Sequence, residues 1–368
     1  MSERTSETGR VAGLRAGIEG AAGLIVLDRP DALNALTLAM REAVGLCLTR
    51  WARDPQVYAV VMRSTSARVF CAGGDVRELI ARARESRALA EAVAATEYTL
   101  NWQLDCFSKP IVALIDGLVM GGGVGLTAFG THRVAGPGYR FAMPETAIGF
   151  FPDDGVAYLF ARMPHEIGMY LALTGRQVAR ADAFRLGLVT HCIAPEAFAG
   201  IERLLMDAEP VDPLLDARHE DPGPGSLEEI SPLIERCFGG GSVEDIVASL
   251  RAETGAGAAW ARSVLDDLAA RSPTSLKVTY RCVRAARSWD LRRTLLNNYR
   301  MAVRMLAGHD VHEGVRARLE DRDGAPRWSP ARLEDVSDAV VDAYFAPIEP
   351  PETELGLRTR AEMQTLRG

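Results

Sequence analysis

Three stretches of the chain pair residues that could do chemistry with residues that could bring a ligand close. In YRFAMPETAIGFFPDDG (139–155), Glu145 follows a proline and precedes an apolar run of Ala147, Ile148, Phe150 and Phe151. A carboxyl group in such surroundings loses hydration, which pushes its pKa upward and suits proton transfer near neutrality. Asp153 follows Pro152 in the next turn. In VFCAGGDVRELI (69–80), Gly73 and Gly74 precede Asp75 and a helical pattern; in DGLVMGGGVGL (116–126), three glycines run toward Gly125. Adjacent glycines let backbone N–H groups approach a ligand closely, and such groups suit a developing oxyanion. Two carboxyl groups near two glycine turns are the parts for attack on a carbonyl: donors for an oxygen anion, and groups that move a proton. Each feature also has a plainer reading. Glu145 and Asp153 would be caps or surface charges, Asp75 a helix N-cap, and the triple glycine a close helix–strand contact.

Other chemistries are poorly served. The glycine run does not match G-x-G-x-x-G and lacks the Lys-Ser/Thr of a phosphate loop. Cys47, Cys71, Cys106, Cys192, Cys237 and Cys282 are scattered without a C-x-x-C pair, so they read as reduced, buried thiols. His309 and His312 are near each other but lack a second ligand pair, so no metal site is expected.

The elements that must hold these residues alternate. Residues 23–30, 57–63, 110–116 and 131–135 read as short apolar strands. Between the first two, 37–52 has helical spacing of Leu38, Val44, Leu48 and Trp51, with Thr37 as N-cap. Segments 76–104 and 155–173 read as helices. This predicts an α/β core over residues 1–206 that contains the active site. A Pro/Gly/Asp-rich connection or flap with the first added helices follows over 207–258, then a helical region over 259–345. Residues 346–368 have too few apolar residues for a core and read as a loose tail. The 368 residues are 48% apolar and 25% charged with a formal net charge of −7, which disfavours a nucleic-acid partner. No apolar stretch approaches the roughly 20 residues of a membrane span, and the N-terminus lacks the apolar core of a signal peptide, so the expectation is a cytoplasmic protein with no membrane partner. Seven arginines with a single acid between 281 and 304 read as a solvated helix face balanced by the acidic segment that follows, or as contacts to phosphate.

Taken together, these segments resemble the crotonase (enoyl-CoA hydratase/isomerase) superfamily, and within it the 3-hydroxyisobutyryl-CoA hydrolase branch. The resemblance runs through LDRPDALNALTLAM (27–40), FCAGGDVR, KPIVALIDGLVMGGGVGL, FAMPETAIGFFPD and LALTGRQVARADAFRLGLVTH (171–191). It resumes in SPTSLK (272–277) and GHDVHEGVRARLEDRDGAPRW (308–328). It implies a spiral of repeated strand-strand-helix (ββα) units with a helical C-terminal region, binding a small acyl-CoA substrate with no metal and no further cofactor. It also implies a trimer or hexamer. The backbone N–H groups of Gly74 and Gly122 would form the oxyanion hole. Asn34, Ala35 and Leu36 would line the CoA path opposite Cys71, Ala72, Gly73, Asp75 and Val76, with Gly121 and Gly125 beside them. A hydratase of this family uses two glutamates, and the first falls on Gly125, which cannot ionise. Glu145 would therefore act unaided by a second glutamate, as water-activating base or as nucleophile, with Asp153 binding a substrate hydroxyl or orienting water. A carboxylate from elsewhere in the space over Gly125 would count against that account. The sequence departs from the branch at Asp154, Val156 and Ala157, in a stretch that is usually glycine-rich, which leaves Asp154 competing with Asp153 for the second acidic role.

Three functions follow as expectations. One is hydrolysis of a short, branched 3-hydroxyacyl-CoA, as in valine breakdown. The second is enoyl-CoA isomerisation or weak hydration. The third is a non-catalytic CoA-binding protein.

Overall fold

The apolar runs of the sequence become parallel strands buried on both faces. The computed structural model describes residues 6–350 and 353–365. β1 (Ser6–Val11), β2 (Leu14–Glu19) and β3 (Ala22–Leu27) form an antiparallel meander, followed by α1 (Leu38–Arg53). The chain then repeats one unit: a strand of a large sheet, a strand of a small sheet, and helix. The first turn is β4 (Ala59–Ser64), β5 (Val69–Cys71), α2 (Val76–Glu85) and α3 (Arg87–Asp105). The second is β6 (Ile111–Ile115), β7 (Leu118–Met120) and α4 (Gly122–Thr127). The third is β8 (His132–Ala135), β9 (Arg140–Ala142), a 3-10 turn at Glu145–Ile148, and α5 (Val156–Phe160). α6 (Ile167–Thr174), β10 (Val178–Ala179) and β11 (His191–Cys192) complete the spiral. The large sheet has the order β1-β2-β3-β4-β6-β8-β11 and the small one β10-β9-β7-β5. The expected α/β spiral of ββα units is what the chain forms.

Alternation along each strand feeds two cores. Val60 and Met62 of β4, and Ile111, Ala113 and Ile115 of β6, face the main core with α1 and α3. Val61, Val112 and Leu114 face a second cluster, covered by Ile201, Leu205, Leu214 and Leu215. Side chains of period two going to opposite faces explain why these runs are apolar throughout.

Several boundaries differ from the sequence reading. The helix expected over 76–104 breaks at Ser86, which is extended (φ −161°). The helix over 155–173 is interrupted by a 3-10 turn at Pro164–Glu166, where His165 and Glu166 take positive φ. A prolyl nitrogen cannot donate, so the helical ladder stops there. In α1, Thr37 accepts from the Met40 N–H as expected, and Val44, Leu48 and Trp51 are buried; Leu38 is only half-buried. The connection is not a free flap: Val211–Asp216 is helical, and its Asp212 and Asp216 meet His132 (2.9 Å) and His191 (3.2 Å). Residues 226–306 are largely helical, as read. The described part of the tail is docked rather than loose. Ile348 and Leu357 are buried, the indole N–H of Trp102 donates to Arg358 O (2.8 Å), and Arg360 pairs with Asp105.

The arginine-rich stretch finds partners far along the chain. Arg284 and Arg287 meet Glu166, Arg281 meets Asp342, Arg300 meets Glu354, and Arg292 donates to Leu357 O. It braces the fold and contributes nothing to the pocket described below. All six cysteines are buried. Among the described residues no helix is long and apolar enough to cross a membrane.

Candidate active site

A cross-connection anchored at Asn34 builds the first half of the site. Leu33 and Asn34 both have left-handed backbone (φ 52° and 54°), a region asparagine enters more readily than most residues. The buried Asn34 carboxamide donates to Ser64 Oγ (2.7 Å), Phe70 O (3.0 Å) and Val69 O (3.3 Å), and accepts from the Arg29 N–H (2.8 Å). This fastens the 29–36 segment to β5. Leu36 N–H then donates to Gly73 O and Asp75 N–H to Leu36 O, both at 2.8 Å. In that parallel pairing Gly74, the residue between, turns its own N–H to the opposite side.

The second donor lies alongside. A β-carbon on Gly122 would fall 3.1 Å from the Gly74 nitrogen, 3.3 Å from Arg41 Nη2 and 2.7 Å from Glu97 Oε1. A β-carbon on Gly74 would fall 2.5 Å from Arg41 Nη2. A side chain at either position would crowd the Arg41–Glu97 pair and, at Gly122, the Gly74 nitrogen as well. Neither N–H has an acceptor among the described residues. Two free N–H groups side by side, with a buried guanidinium behind them, can receive a negative oxygen.

The acids face them. Glu145 is buried at the start of its 3-10 turn; its Oε1 would touch a β-carbon on Gly121 at 3.1 Å, and its Oε2 has no partner. Burial, and then the charge of Asp153, hold its pKa well above the usual carboxylate value. Asp153 accepts from the Tyr98 hydroxyl (2.9 Å); burial and then Glu97 push its pKa up to about 7 against that hydrogen bond. Asp154 is 1% exposed with neither oxygen partnered; burial, then Asp153 and Glu97, raise its pKa as well. Glu97 is held by Arg41 (2.5 Å).

One expectation is overturned here. The space over Gly125 is not free of acid: a β-carbon there would fall 2.7 Å from Asp154 Oδ1 and 2.7 Å from Asn101 Nδ2. Glu145 is thus one of four acids, not a lone one. Glu97, Asp153 and Asp154 bring oxygens within 4.8 Å of one another, a spacing able to hold a cation, and Arg41 already lies against Glu97 as counter-charge.

These groups line one pocket of about 660 Å³, a size suited to a small ligand. Of the residues expected around CoA, Ala35, Ala72, Gly73, Asp75, Val76 and Gly121 line it together with Gly74, Gly122, Glu145 and Asp153. Asp75 is also the N-cap of α2 and pairs with Arg29 (2.8 Å), so its capping reading holds. Asn34, Leu36, Cys71 and Gly125 do not line it. Asn34 spends its side chain on the staple. Leu36 is in the core, and the Cys71 thiol donates to Asn34 O with its pKa pushed up to about 12 by burial. Gly125 lies beneath Asp154. Val311, Arg318, Leu319 and Arg322 also line the pocket, so the site is not confined to residues 1–206.

The comparisons with known proteins agree with this fold. The family description "Enoyl-CoA hydratase/isomerase" matches residues 22–345. The chain belongs to that family. Relatives within it named "3-hydroxyisobutyryl-CoA hydrolase, mitochondrial" include one from Xenopus tropicalis, 40% identical over 89% of this chain and 86% of its own. One from Danio rerio is 38% identical, covering 91% and 90%. Among solved structures, a carnitinyl-CoA dehydratase from Mycobacterium thermoresistibile superposes with a TM-score of 0.87 at 38% identity, covering 94% of this chain and 98% of that one. An enoyl-CoA hydratase from Rhodobacter sphaeroides does so at 0.87 and 34%, covering 94% and 100%. The crotonase-type spiral is therefore the fold of this family member.

The sequence reading missed Arg41, Glu97, Tyr98 and Asn101. A signal existed. Arg41 stands three and seven residues before Val44 and Leu48, on the stripe of α1 that turns inward. Glu97 stands between Val93 and Leu100 on the inward stripe of α3. A charge on an apolar stripe must be paired inside, and these two pair with each other.

Proposed function

We propose that this chain hydrolyses the CoA thioester of a short, branched 3-hydroxyacyl group, 3-hydroxyisobutyryl-CoA foremost, to the free hydroxy acid and CoA. Such a step belongs to valine breakdown. The observation that carries the reading is Glu145, buried with one carboxyl oxygen unpartnered, in the same pocket as the free N–H groups of Gly74 and Gly122. The thioester oxygen sits between the two N–H groups, and Arg41 behind them adds positive potential as charge develops. Ionised Glu145 draws a proton from water that attacks the carbonyl carbon, or attacks that carbon itself to form an anhydride that water then opens. Each route passes through a tetrahedral oxyanion at those N–H groups and expels CoA thiolate, which becomes the thiol by taking the proton Glu145 drew from water or, on the anhydride route, a proton from water. Arg318 and Arg322 line the pocket and have no carboxylate partner among the described residues, so they are the cations for the CoA phosphates. The reaction asks for no cofactor beyond the CoA that the substrate carries. The relatives named as hydrolases, matched over most of their length, support the same reading.

The test is release of free thiol from a panel of acyl-CoA esters with and without a 3-hydroxyl. Steady release, fastest with the hydroxylated branched ester, is expected; none from any ester rejects the reading. A second reading is favoured by one observation, the Asp154 carboxyl over Gly125, which sets a second acid near Glu145 as water addition to an enoyl-CoA requires. It predicts loss of enoyl absorbance without thiol.

A further inference from the structure

Asp154 is the acid of the site whose two carboxyl oxygens are both buried without a partner among the described residues. Asp153 accepts from Tyr98 and Glu97 pairs with Arg41, while both oxygens of Asp154 lack a partner among the described residues. Its backbone is left-handed (φ 54°), and the turn is fixed from outside: the Gly155 N–H donates to Asn298 Oδ1 (2.8 Å), and Val156 N–H to Asp153 O (2.9 Å). A buried, unbonded carboxyl on an uncommon backbone conformation costs stability and is retained where something else uses it. Beside it lies a second orphan, the Oδ1 of Asn101, a residue 2% exposed. The Asn101 amide and the Asp154 carboxyl both approach the point that a β-carbon on Gly125 would occupy, at 2.7 Å each. Gly125 stands one helical turn beyond the oxyanion donor Gly122, on the same face of α4. Asp154 lines the same pocket as Gly74, Gly122 and Glu145, with Asn101 beside it.

We propose that Asp154, with Asn101, is the specificity-determining pair of this site, binding the hydroxyl on the third carbon of the acyl group. A hydroxyl offers a donor, and the unpartnered Asp154 carboxyl, which lines the pocket, accepts it; the Asn101 side chain stands beside that carboxyl. Asp153, for which the family resemblance left open binding a substrate hydroxyl or orienting water, is already engaged by Tyr98 and is left to orient water. The inference rests on the thioester-hydrolase reading above.

The experiment compares kcat/KM for thiol release from 3-hydroxyisobutyryl-CoA and isobutyryl-CoA in the wild type, Asp154→Asn and Asp154→Val, together with their melting temperatures. The wild type is expected to prefer the hydroxylated ester by at least about 10²-fold, since a site built to bond a hydroxyl rejects the analogue lacking it. Asp154→Val is expected to lower that ratio at least tenfold and Asp154→Asn to lower it less, while the melting temperature rises in both. A structural acid would behave oppositely, with Tm falling and both esters losing rate equally. That result overturns the proposal, as does an unchanged ratio in either folded variant. The wild type settles it without any variant: hydrolysis of both esters with no preference defeats this inference and leaves the hydrolase reading standing. Release from neither ester defeats both.

Discussion

An ionised Glu145 is needed for either route, yet its surroundings favour the neutral acid. Burial and the neighbouring Asp153 raise its pKa, and Asp153 and Asp154 are raised by burial in turn. Thiol release should therefore climb as pH rises through neutrality. Stability should move the other way. A carboxyl whose pKa is higher folded than unfolded stabilises the fold fully below its ordinary value, 3.8 for Asp153, and loses that contribution as pH rises through about 7. The melting temperature is expected to fall between pH 5 and 8, with a flatter slope in Asp154→Asn; equal slopes in the two proteins would show that the cluster does not titrate. At Gly122, alanine would push a methyl against the Gly74 nitrogen and Glu97. Gly122→Ala is expected to cost about 10²–10³ in kcat by closing the oxyanion hole, with the far-ultraviolet dichroism retained. A variant within a factor of three of wild type would remove Gly122 from the machinery.

At the scale of elements, the donors are placed by a staple that contains no donor itself. Asn34 ties the 29–36 segment to β5, and Leu36 then pairs with both neighbours of Gly74. Asn34→Ala leaves the Phe70 carbonyl and the Arg29 N–H without partners, at a cost of about 1–3 kcal/mol each when buried. A lower melting temperature is expected in thermal unfolding, together with a kcat that falls more than KM changes, because Gly74 loses its register. This staple also marks the limit of what the sequence made legible. Strands β3, β4 and β6 were readable because residues on both of their faces are buried, so the apolar run is nearly continuous. The carboxyl and glycine segments were readable because each is local. The resemblance made Asn34 a CoA contact; its staple partners lie some 30 to 36 residues away, and spacing carries no trace of them. The arginines of 281–304 failed for the same reason, since their acids are Glu166, Asp342 and Glu354. Asp154 could be seen as a departure, but its position over Gly125 depends on how α4 meets the turn at Asp153–Gly155.

For the molecule as a whole, the C-terminal half completes the pocket and the tail braces it. Val311, Arg318, Leu319 and Arg322 close one wall. Arg358 and Arg360 contact α3, the helix that presents Glu97, Tyr98 and Asn101. Removing residues 346–368 should uncover Trp102 and lower both the melting temperature and kcat. A truncated chain with full activity and unchanged melting would show that the brace is dispensable. All of this structure converges on one buried carboxyl and two unoccupied amides. The most direct trial is thiol release from 3-hydroxyisobutyryl-CoA by the wild type and by Glu145→Gln, which keeps the shape and removes the ionisable group. A fall of about 10²–10⁴ in kcat with CoA binding retained is the predicted result. Turnover by Glu145→Gln at the wild-type rate would contradict it.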